Sequence, residues 1–163
     1  MKTSLLKPAL ILTTLFIVLN IPAFSFMGHP ISDYYKKHKN DLGMEAKVIP
    51  PKAASLLVDE DYPEAIDILQ SMTTLKYLNY YGKNPAIKQY ANGAISSKGL
   101  FKSLFHDVDG NREVSVYGEK KGGTVRKVIA IVQTKTQFLL LIGRGKLTND
   151  QIAHFPALSK EIQ

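Results

Sequence analysis

The densest set of side chains able to do chemistry is basic: Lys120, Lys121, Arg126, Lys127, Arg144 and Lys146. Ammonium and guanidinium groups recognise anions through charge-assisted hydrogen bonds. These six are therefore a candidate anionic-partner patch, suited to an envelope protein or an anionic surface. The first four sit around one turn and the last two follow a later strand, so strand pairing does not oblige them to share an end of the sheet. A solvated turn accounts for the same residues.

The other constellations fall short of the chemistry they suggest. Asp107-Val108-Asp109-Gly110-Asn111 resembles the start of a calcium loop. That loop needs Gly at its sixth position and Glu at its twelfth, where Arg112 and Gly118 stand. A hairpin turn explains the segment. Gly118 to Thr124 looks like a phosphate loop, but no Lys precedes the Thr, and the segment links two strands. His29, His38, His106 and His154 are scattered, so no metal or other cofactor is expected. Asp59, Glu60, Asp61 and Glu64 could pair for acid–base work, yet acidic residues at a helix start are favoured electrostatically anyway. There is no Gly-x-Ser-x-Gly elbow and no Cys nucleophile. A hydrolase or transferase would need a pocket joining groups such as His106, Asp107 and Glu113. Tyr34, Tyr77 and Tyr90 fall on apolar faces and read as core and rim.

The first 25 residues carry an address. Lys2 and Lys7 precede an apolar run from Ala9 to Ile21, Pro22 breaks it, and Ala23-Phe24-Ser25 offers small residues for cleavage. That is the layout of a secretory signal peptide, and the run is short for a membrane span. The expectation is cleavage after Ser25, leaving residues 26–163 as a single domain without a transmembrane segment. The alternative is a retained anchor. The formal charge is +7, and losing Lys2 and Lys7 lowers it by two. Export argues against nucleic acid as the partner of this basic chain. Absence of cysteine rules out disulfides, and a staple-free exported domain reads as bacterial, periplasmic or extracellular.

The elements that must position these residues follow from periodicity. Ile31, Tyr34, Tyr35 and His38 have helical spacing, predicting a helix over 30–40. Met44 to Ile49 reads as a strand, and 52–58 as a helical turn. Asp61 with Glu64 resembles a capping box opening a helix whose face is Ile66, Leu69 and Met72. A strand over 73–81 follows, then a helix from Asn84-Pro85 with a stripe of Ile87, Tyr90, Ala91, Ala94 and Ile95. Strands are predicted over 104–108, 112–119, 125–132 and 137–142, with turns at Asp109-Gly110, 120–123 and 134–136. Thr148 with Gln151 makes a capping box for a last helix, and Leu147 can staple onto Ile152. The fold class is α+β: a largely antiparallel sheet of five to six strands ending in a four-strand meander, with helices packed on it.

Two strands are apolar on both faces, Val128 to Val132 and Phe138 to Ile142. A strand with one wet face should alternate. Both faces at the sheet centre must therefore be covered, by helices on each side or by a partner such as a second copy.

The chain resembles the domain-of-unknown-function family 4252, small exported proteins and lipoproteins of Bacteroidetes-type bacteria. The resemblance rests on Ile31-Ser-Asp-Tyr-Tyr-Lys-Lys and on Ala65-Ile-Asp-Ile-Leu leading into Leu75-Lys-Tyr-Leu. The closing order adds to it: Glu113-Val-Ser-Val-Tyr-Gly, Val128-Ile-Ala-Ile-Val, Phe138-Leu-Leu-Leu-Ile-Gly-Arg-Gly and Leu147-Thr-Asn-Asp-Gln-Ile. It implies an envelope or extracellular location, and no established activity or functional residue. The residues alone favour a non-enzymatic binding or interaction module, with a small exported hydrolase or transferase, or a small-ligand carrier, as alternatives.

Overall fold

The computed structural model describes residues 30–82, 85–96 and 99–155. The signal-peptide expectation, His29, Asn84 and Pro156 lie outside them. The element order is α1 (Pro30–His38), β1 (Met44–Ile49), α2 (Pro51–Ser55), α3 (Pro63–Gln70), β2 (Met72–Tyr81), α4 (Pro85–Ser96), β3 (Lys102–Asp109), β4 (Arg112–Lys121), β5 (Thr124–Gln133), β6 (Gln137–Leu147) and α5 (Asn149–Ala153). Six strands form one sheet in the order β1-β2-β6-β5-β4-β3, each pair antiparallel. The α+β class and the closing meander are as the sequence implies. No helix of the described residues is long and apolar enough to cross a membrane.

Alternation along the strands divides the apolar residues between two cores. One face carries Leu78 of β2, Ile129 and Ile131 of β5, and Phe138, Leu140 and Ile142 of β6. Helices α1 and α4 cover it with Ile31, Tyr34, Tyr35, Ile87, Ala91 and Ile95. Tyr34 anchors the two helices together, its hydroxyl donating to the Ile87 carbonyl at 3.0 Å. The opposite face carries Val114, Val116, Val125, Val128 and Val132, and meets Ile68 of α3 and Leu147. Both sides of the doubly apolar strands therefore receive helices from the same chain.

Several local expectations shift. Strand β6 runs on to Leu147 rather than stopping at Ile142, because Arg144 and Gly145 keep pairing with β2. Tyr62, not Asp61, is the N-cap of α3, and no side chain caps it. Asp61 instead takes a local bond, its backbone N–H donating to the Asp59 carboxylate at 3.1 Å. The buried residue of α3 is Ile68, not Ile66, since Pro63 begins the helix and turns the Ala65–Ile68–Leu69 edge inward. Tyr90 is 60% exposed, because the helix buries the Ile87–Ala91–Ile95 line and leaves Tyr90 on its shoulder. The β4–β5 hairpin closes on Gly122-Gly123, with φ of +59° and +78°, a left-handed pair that two glycines adopt without strain. The Thr148–Gln151 capping box forms as expected, with both reciprocal bonds present.

Candidate functional site

The helices on the α3/α5 face are short, and they do not fill the space above it. Helix α3 has eight residues and α5 five. Beneath them the sheet offers small side chains at its centre: Ala130 of β5 and Gly143 of β6, with Val128 paired directly to Gly143. Short cover over a shallow floor leaves a cavity of about 450 Å³. That volume lies within the range of small-molecule sites, roughly 300–1,000 Å³.

Its wall is built element by element. Strands β4 and β5 give Val114, Val116, Val128, Ala130 and Val132 as the floor, and Leu141 and Gly143 of β6 continue it. Met72 and Leu75 of β2 close one side. Ala65, Ile68 and Leu69 of α3 form the roof, with Val58 and Tyr62 before the helix and Phe155 beyond α5. Among the described residues, no Asp, Glu, His, Lys or Arg lines it. Such a wall offers a favourable transfer of apolar surface, with the Tyr62 side chain as its one hydroxyl-bearing group among the described residues. Leu56 and Leu57, just ahead of Val58 in the chain, stand 84% and 88% exposed.

The roof is tied down by one side chain. The Gln151 amide donates to the Asp67 carboxylate and to the Ser71 hydroxyl, both at 2.7 Å. Its carbonyl oxygen accepts the Thr148 N–H at 2.9 Å. Gln151 thus joins α5 to α3 through a residue that is itself buried.

All six basic residues singled out from the sequence come to one end of the sheet. Val125 pairs with Leu147 and Lys127 with Arg144, so the start of β5 lies beside the end of β6. Glu119 and Lys120 of β4 pair with Lys127 and Val125. Lys120, Lys121, Arg126, Arg144 and Lys146 are exposed there. Lys127 is not part of the exposed set. It projects to the α1/α4 face, is 7% exposed, and its Nζ lies 3.3 Å from a Glu119 carboxylate oxygen. Burial holds its pKa below the usual lysine value, against the opposing pull of Glu119.

The residues named for an enzyme do not converge. His106, Asp107 and Glu113 pair with Ser115, Val114 and Val108. Consecutive strand residues face opposite ways, so Asp107 shares the cavity face with Val114 while His106 and Glu113 share the other. The His106 ring nitrogen Nδ1 is 3.0 Å from the Ser115 hydroxyl. Among the described residues, no three His, Asp or Glu side chains gather as a metal site.

The cavity itself was not foreseen from the sequence. Its trace was the doubly apolar β5 and β6, whose second face proves to be a cavity floor as well as a packed core. The chain matches no curated protein and no solved structure. The family model described as Domain of unknown function (DUF4252) matches residues 35–155, a span reaching from α1 to the last residue of the cavity wall, and the chain belongs to that family.

Proposed function

We propose that the protein is an exported, non-enzymatic binding module whose ligand is apolar and seats between α3 and the sheet. The observation that carries this reading is the cavity, of ligand size and with a largely apolar wall that holds no charged group among the described residues. Export rests on the signal-like residues 1–25, and the exposed Leu56 and Leu57 supply an apolar approach beside Val58. This favours the carrier form of binding over a protein-only interaction.

The test uses purified residues 26–163 and the neutral dye N-phenyl-1-naphthylamine. Saturable fluorescence enhancement at one dye per chain is expected, with loss in Ala130→Phe and Leu69→Trp, which fill the cavity from floor and roof. Absence of saturable binding, or binding untouched by both variants, overturns the reading. So does binding that appears only after residues 156–163 are removed, which would give the cavity to the chain's own end.

A second reading has its own observation: the five exposed cations at one end of the sheet. They suit an anionic surface or an acidic envelope protein. Sedimentation with vesicles containing phosphatidylglycerol, but not with phosphatidylcholine vesicles, is expected for the unmodified chain. Retention of that binding when Lys120, Lys121 and Arg126 are changed to Glu would refute it.

A further inference from the structure

Near the cavity floor in the strand ladder, Arg112 carries two guanidinium nitrogens that have no hydrogen-bond partner among the described residues. Arg112 opens β4 two residues before Val114, and alternation places both on the cavity face. Pairing there is regular, Val114 to Val132 and Glu113 to Gln133, so no bulge rotates Arg112 away. Two residues of strand separate it from the cavity wall by roughly 7 Å, within reach of an arginine side chain. Its Nε and Nη2 atoms are buried, and among the described residues neither has a hydrogen-bond partner.

Buried donors without acceptors are rare, because desolvating a charged group without pairing it is costly. The nearest acids in the ladder are Asp109, its cross-strand partner, and Asp107, opposite Val114. Neither forms an ion pair with it among the described residues. The two orphaned nitrogens share one edge of the planar group. That edge presents two parallel N–H donors, the arrangement that accepts a carboxylate bidentately.

We infer that the ligand of the apolar cavity is a single-chain amphiphile with an anionic oxygen head, its tail between α3 and the sheet and its head on Arg112. A fatty-acid carboxylate fits the planar fork best. A neutral hydrocarbon leaves the two donors unpaired, so the head group sets the ligand class that the apolar wall alone leaves open. This inference rests on the cavity being a ligand site.

Displacement of the neutral dye by dodecanoate, dodecan-1-ol and dodecyl phosphate at pH 7.4 separates the two ideas. For the unmodified protein, dodecanoate should bind roughly ten- to a hundredfold more tightly than dodecanol, the range of a charge-assisted hydrogen bond. Arg112→Gln should erase that preference while dodecanol binding persists, which also shows that the variant is folded. Arg112→Lys, which keeps the charge but loses the fork, should retain only part of the preference. Tightening by dodecyl phosphate equal to or above that of dodecanoate keeps the anionic head and assigns it to a phosphate lipid. Equal binding of dodecanoate and dodecanol, or a preference unchanged in Arg112→Gln, overturns the anionic head and leaves the cavity reading intact. Failure of every amphiphile and of the dye overturns the cavity reading itself.

Discussion

The Nζ of Lys127 sits 3.3 Å from Glu119 Oε2 and 5.7 Å from the centroid of the Phe101 ring, so this lysine is packed rather than presented. Its partner stands opposite it in the ladder, on neighbouring strand β4. Taking one charge from a buried pair costs more than replacing both, because the survivor stays desolvated. Glu119→Gln should therefore destabilise by about 1–3 kcal/mol. Lys127→Met should cost less, because the carboxylate it leaves behind is 33% exposed and keeps water as a partner, whereas the lysine side chain is 8% exposed. Urea unfolding of both variants, read by circular dichroism, checks the asymmetry. Equal losses would mean that the pair contributes mainly through packing.

The tie between α5 and α3 gives a second expectation. Gln151→Ala removes the acceptor of the Thr148 N–H and the donor to Asp67 and Ser71. It should cost about 2 kcal/mol, more than the roughly 1 kcal/mol of a lost cap in Thr148→Ala. The double variant should cost less than the sum, since both belong to one network. Dye affinity should fall along with stability in Gln151→Ala, because the same bonds fix the cavity roof.

At Gly145 the chain leaving α3 lies against β6, with Met72 its pairing partner. A Cβ there would collide with the Ser71 carbonyl oxygen and lie 2.8 Å from the Met72 Cα, both of them backbone that cannot swing aside. The Lys146 N–H also donates to that carbonyl, at 3.2 Å. Gly145→Ala should cost about 2–4 kcal/mol. Gly93→Ala, on α4 with open space around it, should be neutral or stabilising by up to about 1 kcal/mol. Paired thermal melts measure the contrast.

Alkaline pH should loosen the α1–α4 contact. Burial, helped by Asp41, pushes the Tyr34 hydroxyl up to about 12 from an ordinary value of 10.0. Between those values the native chain holds a proton that the unfolded chain has released, so stability falls as pH rises through the window. Below pH 10 the contribution is complete. Tyr34→Phe should flatten this fall, at a cost near neutral pH of about 1 kcal/mol for the lost bond to Ile87. Denaturant midpoints from pH 7 to 11.5 provide the comparison.

Ala130→Leu probes the cavity without a ligand. If the space above Ala130 is open as drawn by its wall, the added methylenes gain contacts without displacing neighbours. Stability should rise by about 0.5–2 kcal/mol while dye binding weakens. A loss of stability would mean that the floor and α3 are already in contact.

Much of this protein was determined by local sequence. The 3.6-residue spacing from Ile31 to His38, the alternation through Leu75 to Tyr80, the Gly122-Gly123 turn and the Thr148–Gln151 box each depend on neighbours in the chain. Those are short-range effects, and they carried the α+β class and the meander. The misplaced features were also local, but lay where two signals competed. Asp61 could cap or make a turn with Asp59, and the Pro63 start chose the turn. What only the tertiary structure decided is what lies opposite what. Pairing β6 between β2 and β5 brought Arg144 and Lys146 beside the β4–β5 hairpin and buried Lys127 against Glu119. It also set Ala130 beside Leu141 and Val128 beside Gly143 under a helix too short to cover them, with Arg112 beyond. A cavity is a mismatch between the sizes of groups far apart in sequence, and no periodicity within one segment encodes it.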